Sequence, residues 1–201
     1  MFFLVQIAAL VLYSTDNIII ARVLGAESVT SYSVTWSLLA LTQILTTAAF
    51  PYLWAAYGEA LARRDGAWVA RMLRRSLILG TGVTAALLLP LTLFGDTAVR
   101  LWAGPEAVPT RAVLYWMAAW NLVLAPAQAI AAFLNAAGKV DVQVWAGLAT
   151  AFVNVVLSVW LARAYGPAGV IAATVVSYLA FAALPTAVVA TRTLRGLRPN
   201  P

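Results

Sequence analysis

Apolar residues run through the chain in long blocks, broken by a few glycines and by short charged stretches. Six blocks can be drawn, at residues 2–24, 29–57, 76–94, 112–137, 142–165 and 169–191. Each holds the roughly 17–25 residues that cross a hydrocarbon layer as a helix. The pattern therefore predicts an all-α, polytopic membrane protein in which six transmembrane helices form a single unit. Gly25 ends the first block, Gly138 the fourth, and Gly166-Pro167 separates the fifth from the sixth; glycine and proline are the usual punctuation between elements. Residues 58–75 read as helix ends extending past the membrane rather than as a domain.

Composition agrees with lipid as the solvent. Of 201 residues, 63% are hydrophobic and 10% charged, against about 25% charged in a soluble domain. The net charge of +6 comes from arginines at the ends of apolar blocks, a placement that suits anionic lipid headgroups and not nucleic acid. Arg63, Arg64, Arg71, Arg74, Arg75, Lys139, Arg192, Arg195 and Arg198 fall on the side of both termini, and Arg22, Arg100, Arg111 and Arg163 on the other. The positive-inside rule then puts both termini in the cytoplasm, here of a bacterial inner membrane. Trp54, Trp68 and Trp145 fall near the proposed inner interface and Trp36, Trp102, Trp116 and Trp160 near the outer one. The N-terminus lacks the positive start and cleavage site of a secretory signal. A first span with no Lys or Arg before it is natural in the later part of a longer protein.

Cysteine and histidine are absent. That removes disulfides, thiolate and imidazole metal sites, and the Ser-His and Cys-His dyads. No enzyme activity, metal or cofactor is expected.

In lipid the polar residues carry the information, because an unpartnered group there costs several kcal/mol. Asp16 lies inside the first block, and an intramembrane carboxylate is by default a functional residue. Gln6, Tyr13, Asp16 and Asn17 share an arc of about 100° on that helix. Either Asp16 binds a cation or proton with Tyr13 and Asn17 beside it, or it reaches water or Arg22 near the outer end. In the fourth block Asn121, Gln128 and Asn135 recur every seven residues, which turns a helix by only about −20°, so the amides form a row. Such a row can line a wet cavity or bond to neighbouring helices. Pro126 should kink that helix. Ser31, Thr35, Thr42 and Thr46, with Gln43 at the edge, and Gly147, Ala151, Asn154 and Ser158 form stripes suited to close helix packing.

In order along the chain, these segments resemble the oligosaccharide flippases of the multidrug/oligosaccharidyl-lipid/polysaccharide exporter superfamily. The carriers of the likeness are TDNIIIARVLGAESVTSYSVTWSL (Thr15 to Leu38), FPYLWAAYGEALARRDGAWVARMLRRS (Phe50 to Ser76), GDTAVRLWAG (Gly95 to Gly104), and the stretch from Phe133 to Leu179 with its Gly-Lys turn, Asn154 and Gly-Pro-x-Gly link. The resemblance implies the C-terminal six-helix lobe of a two-lobe transporter that passes lipid-linked glycan across the membrane by alternating access. A second lobe would come from the same gene, a second copy or another chain. Asp16 would be the coupling site, and Gln43, Asn121, Gln128, Asn154 and Arg22 would face the substrate. A cation-coupled drug antiporter of the same superfamily and a non-transporting scaffold subunit are the alternatives.

Overall fold

The computed structural model describes residues 15–197, and every regular element among them is helical. Residues 15–23 form α1. They are followed by α2 (Glu27–Ala40), α3 (Gln43–Ala62), α4 (Gly66–Ala103), α5 (Arg111–Ala136), α6 (Val140–Tyr165), α7 (Pro167–Tyr178) and α8 (Leu184–Gly196). A 3₁₀ turn at Pro105–Ala107 precedes α5, and a π turn at Leu179–Ala183 joins α7 to α8.

Of the six expected spans, the last four coincide with helical stretches that are long and apolar enough to cross a bilayer: Gly66–Ala103, Arg111–Ala136, Val140–Tyr165 and Pro167–Gly196. Most of the first expected span, with Gln6 and Tyr13, lies outside the described residues. The second, expected as one unbroken block, is two helices. At their junction the Thr42 N–H bonds the Leu39 carbonyl at 3.1 Å and the Ile44 N–H bonds the Leu41 carbonyl at 3.3 Å, so the turn tightens from i−4 to i−3 spacing. The Thr42 hydroxyl also lies 2.7 Å from the Leu39 carbonyl, a side-chain bond that competes with the helical ladder. The third expected span is the middle of a 38-residue helix. The basic stretch ends α3, turns at Arg63 and Arg64 and opens α4, whose start is capped where the Trp68 N–H donates to Asp65 Oδ1 at 2.9 Å.

The expected glycine stops hold. Gly25, Gly138 and Gly166 all have positive φ, where a side chain would be strained. Beyond Gly166 (φ 63°), Pro167 opens α7 at a position that needs no N–H. Gly169 then lies against α6, where a Cβ would run into the Leu161 carbonyl. The Gly-Pro-x-Gly link is therefore a tight helical hairpin.

α5 is the central helix and α4 the peripheral one: 56% of the most apolar window of α5 is buried, against 11% for α4. Leu79, Leu89, Leu93, Phe94 and Leu101 of α4 and Phe152, Val156 and Trp160 of α6 are exposed. Water would not tolerate so continuous an apolar coat; lipid chains would. Two buried cores stack along α5. One joins Ile19, Ile20, Tyr32, Leu88, Met117, Trp120 and Ile171. The other joins Tyr57, Val69, Leu73, Phe133 and Ala190 near the arginine-rich end. Trp54, Trp102, Trp116, Trp145 and Trp160 are exposed, whereas Trp120 is buried edge-on against Tyr178.

Candidate functional site

Asp16 lies on α1 and is only 2% exposed. α2 brings Tyr32, whose hydroxyl donates to Asp16 Oδ2 at 2.7 Å. α7 brings Thr174, whose Oγ1 lies 3.4 Å from the same oxygen and 3.2 Å from the Val170 carbonyl. α6 brings Asn154, whose Nδ2 donates to Thr174 Oγ1 at 2.9 Å. Four helices thus converge on one carboxylate. Ser158, one turn beyond Asn154 on α6, is buried as well.

The arrangement leaves acceptors over. Asp16 Oδ1, Asn154 Oδ1 and Ser158 Oγ are buried with no hydrogen-bond partner among the described residues. Native interiors rarely strand such groups without a reason. Nor is the carboxylate neutralised by a basic side chain: the ion pairs among the described residues are Glu59–Arg63 at 3.2 Å and Asp96–Arg111 at 3.1 Å. The expected alternative, in which Asp16 reaches water or Arg22, is not the arrangement found, since Asp16 is enclosed and Arg22 is exposed. A buried carboxylate without a counter-charge is strongly unfavourable. It needs a proton or a cation.

The donor set indicates what kind. One carboxylate with amide and hydroxyl oxygens is a hard, all-oxygen environment, unlike the nitrogen and sulfur sets that select transition metals. Its single formal charge balances one positive charge; a divalent ion would leave a net charge in an apolar interior. A proton on the carboxylate is shared with one neighbouring acceptor, whereas a monovalent metal ion gathers several oxygens. Either would supply the positive charge that the carboxylate lacks.

The other sequence candidates are placed apart from one another. Asn17 is exposed and accepts from Ser33 Oγ at 3.2 Å; Tyr13 lies outside the described residues. Asn121 is 5% exposed and faces the junction of α2 and α3. There Gln43 Nε2 donates to its Oδ1 at 2.9 Å and to its backbone carbonyl at 3.1 Å, and Thr42 Oγ1 lies 3.2 Å from Oδ1. Asn121 Nδ2 donates to the Met117 carbonyl at 2.8 Å. Gln128 lines a cavity of about 330 Å³ between α3, α4 and α5. Asn135 accepts from Gln143 Nε2 at 2.8 Å. The amide row is thus dispersed among three surroundings, and Asn154, expected to face substrate, is inside the Asp16 cluster.

Tyr32 and Thr174 were not singled out from the sequence. Thr174 is a lone hydroxyl in an apolar run from Val170 to Val176, as an internal partner would be. Ser158 showed only as part of a packing stripe, and Asn154 as part of that stripe and, by the resemblance, as a substrate-facing residue.

The MatE family model matches residues 2–160, which include Asp16, Tyr32, Asn154 and Ser158 but not Thr174. No curated protein and no solved structure matches the chain. With a family match over most of its length and an apolar-coated helical fold, the chain belongs to the MatE family of the multidrug/oligosaccharidyl-lipid/polysaccharide exporter superfamily and is a multi-pass membrane protein of a transporter family.

Proposed function

We propose that this chain forms one lobe of a cation-coupled flippase for lipid-linked oligosaccharide or polysaccharide precursors. The observation that carries the reading is the set of spare oxygens at Asp16, Asn154 and Ser158. A monovalent cation entering there would draw α1, α6 and α7 together around Asp16, with Tyr32 of α2 bonded to the same carboxylate. Its departure would leave the carboxylate charge uncompensated and favour another arrangement of these helices. Differential binding of this kind is what lets an ion gradient shift a transporter between states.

The substrate would meet a different face. Arg22 and Asn17 on α1 and Ser37 on α2 are exposed, with Ser33 bonded to Asn17 between them. The Ser33 bond occupies Asn17 Oδ1 and leaves the amide N–H₂ to donate. Amide and hydroxyl groups suit sugar hydroxyls, and Arg22 suits a phosphate. Polar groups on an outer face within the membrane need protein or water opposite them, which a second six-helix lobe would supply. Gln43 and Asn121 bond each other and would act on the α2–α3 junction instead of on glycan.

A cation-coupled drug antiporter would use the same Asp16 site. Its cationic substrate would look for a carboxylate on the wall, and the carboxylate within α1 is enclosed. In the proposed setting, both termini lie in the cytoplasm of a bacterial inner membrane. Glycan export in cells that depend on this gene product tests the reading. Asp16→Asn should abolish export while the protein stays inserted and abundant. Unaltered export would remove Asp16 from the mechanism, and efflux of cationic dyes in place of glycan export would favour the antiporter.

A further inference from the structure

The cavity between α3, α4 and α5 lies outside the Asp16 cluster and takes no part in the function proposed above. Its α4 wall is Met72, Ser76, Leu79, Gly80 and Val83, facing Phe50 and Leu53 of α3 and Gln128 of α5. Positions 72, 76, 79, 80 and 83 make one helical stripe. Leu79 and Val83 are 64% and 41% exposed, so the cavity opens sideways along the apolar flank of α4. It is a slot on the surface that meets lipid, with Gln128 and Ser76 as its polar side chains.

The turns of α4 that lead into the slot are basic. Arg75 precedes Ser76 and lies one turn from Leu79, and Arg71 precedes Met72. Both are exposed, and neither has a carboxylate partner among the described residues. Asp65, at the start of α4, caps the Trp68 N–H. An apolar slot next to turns that carry uncompensated guanidinium groups has the polarity of a single lipid: hydrocarbon along the slot, phosphate toward the arginines.

We infer that the α3–α4–α5 slot binds one chain of an anionic glycerophospholipid, whose phosphate is held by Arg71 and Arg75. The Gly80 backbone forms part of the floor. A Cβ at Gly80 would sit 3.8 Å from the Ala125 carbonyl, an ordinary contact, so a larger side chain there fills the slot without forcing α4 from α5. The inference rests on the membrane reading but not on Asp16, so Asp16→Asn leaves lipid retention unchanged.

The test is retention of phospholipid by the purified full chain, read by native mass spectrometry from equimolar phosphatidylglycerol and phosphatidylcholine. The wild type should retain one phosphatidylglycerol in preference to phosphatidylcholine. Arg71→Gln and Arg75→Gln should each lower that preference about fivefold, the equivalent of roughly 1 kcal/mol per basic residue near a lipid surface. Arg195→Gln, on α8, serves as the surface-charge control and should change nothing. Gly80→Leu should lose both lipids while keeping the wild-type melting temperature in lipid-free detergent. Equal retention of the two lipids by the wild type would overturn the inference. So would full retention by Gly80→Leu, or displacement of phosphatidylglycerol by polyprenyl phosphate at trace concentration, which would make the slot a place for the chain of a transported lipid.

Discussion

Asn121 and Asp16 both carry a polar group into the apolar interior, and their surroundings are finished differently. Around Asn121 every bond closes: the side-chain oxygen accepts from Gln43, and the amide donates to the Met117 carbonyl. Around Asp16 both donors crowd onto Oδ2, and Oδ1 is left with Asn154 Oδ1 and Ser158 Oγ as unused acceptors. A closed cluster fixes a shape, and here it fixes the break between α2 and α3. Under the proposed function, an open cluster of acceptors around an uncompensated charge is half of a binding equilibrium. Burial alone does not separate the two, since Asn121 is 5% and Asp16 2% exposed. The count of unused oxygens does.

Substitutions that act on one cluster and spare the other sharpen this contrast. The largest effect is expected from Asp16→Asn, which removes the charge in nearly the same volume. Transport should be lost, while the melting temperature measured without alkali cation stays level or rises, because an uncompensated buried charge has gone. Asn121→Leu should do the reverse. It removes the side-chain acceptor that Gln43 and Thr42 share, leaving each its backbone carbonyl, and should lower stability by about 1 kcal/mol, with or without cation, as read by denaturant titration in detergent. Ser158→Ala removes one neutral oxygen and should weaken cation affinity about tenfold with little change in stability, by analogy with the loss of one supporting group at a metal site. The smallest effect is expected from Gln128→Leu, which touches neither cluster: stability should move by no more than about 0.5 kcal/mol, and cation affinity not at all.

Much of the architecture was legible in the sequence because lipid imposes a simple rule. Apolar blocks of spanning length, ended by Gly138 and Gly166, map onto α5, α6 and the α7–α8 stretch. The break at Thr42 was not legible. It depends on Asn121, 79 residues away, meeting a threonine that bonds back to its own helix. The amide row shows the same limit. Seven-residue spacing puts Asn121, Gln128 and Asn135 on one side of α5, but that side meets different neighbours along its length. One amide therefore meets a helix break, the next a cavity and the last the start of α6. Asp16 stood out because a carboxylate in an apolar block is conspicuous. Its partner Thr174 did not, since a hydroxyl among valines can satisfy itself on its own helix, and the 158 residues between the two carry no periodic signal.

Direct binding of sodium by the purified chain, followed with a radioactive tracer against lithium, potassium and pH, tests the central claim. Saturable binding of one monovalent metal ion is predicted, lost in Asp16→Asn and kept in Asn121→Leu. Absence of saturable binding to the wild type, or binding that survives Asp16→Asn, would contradict it.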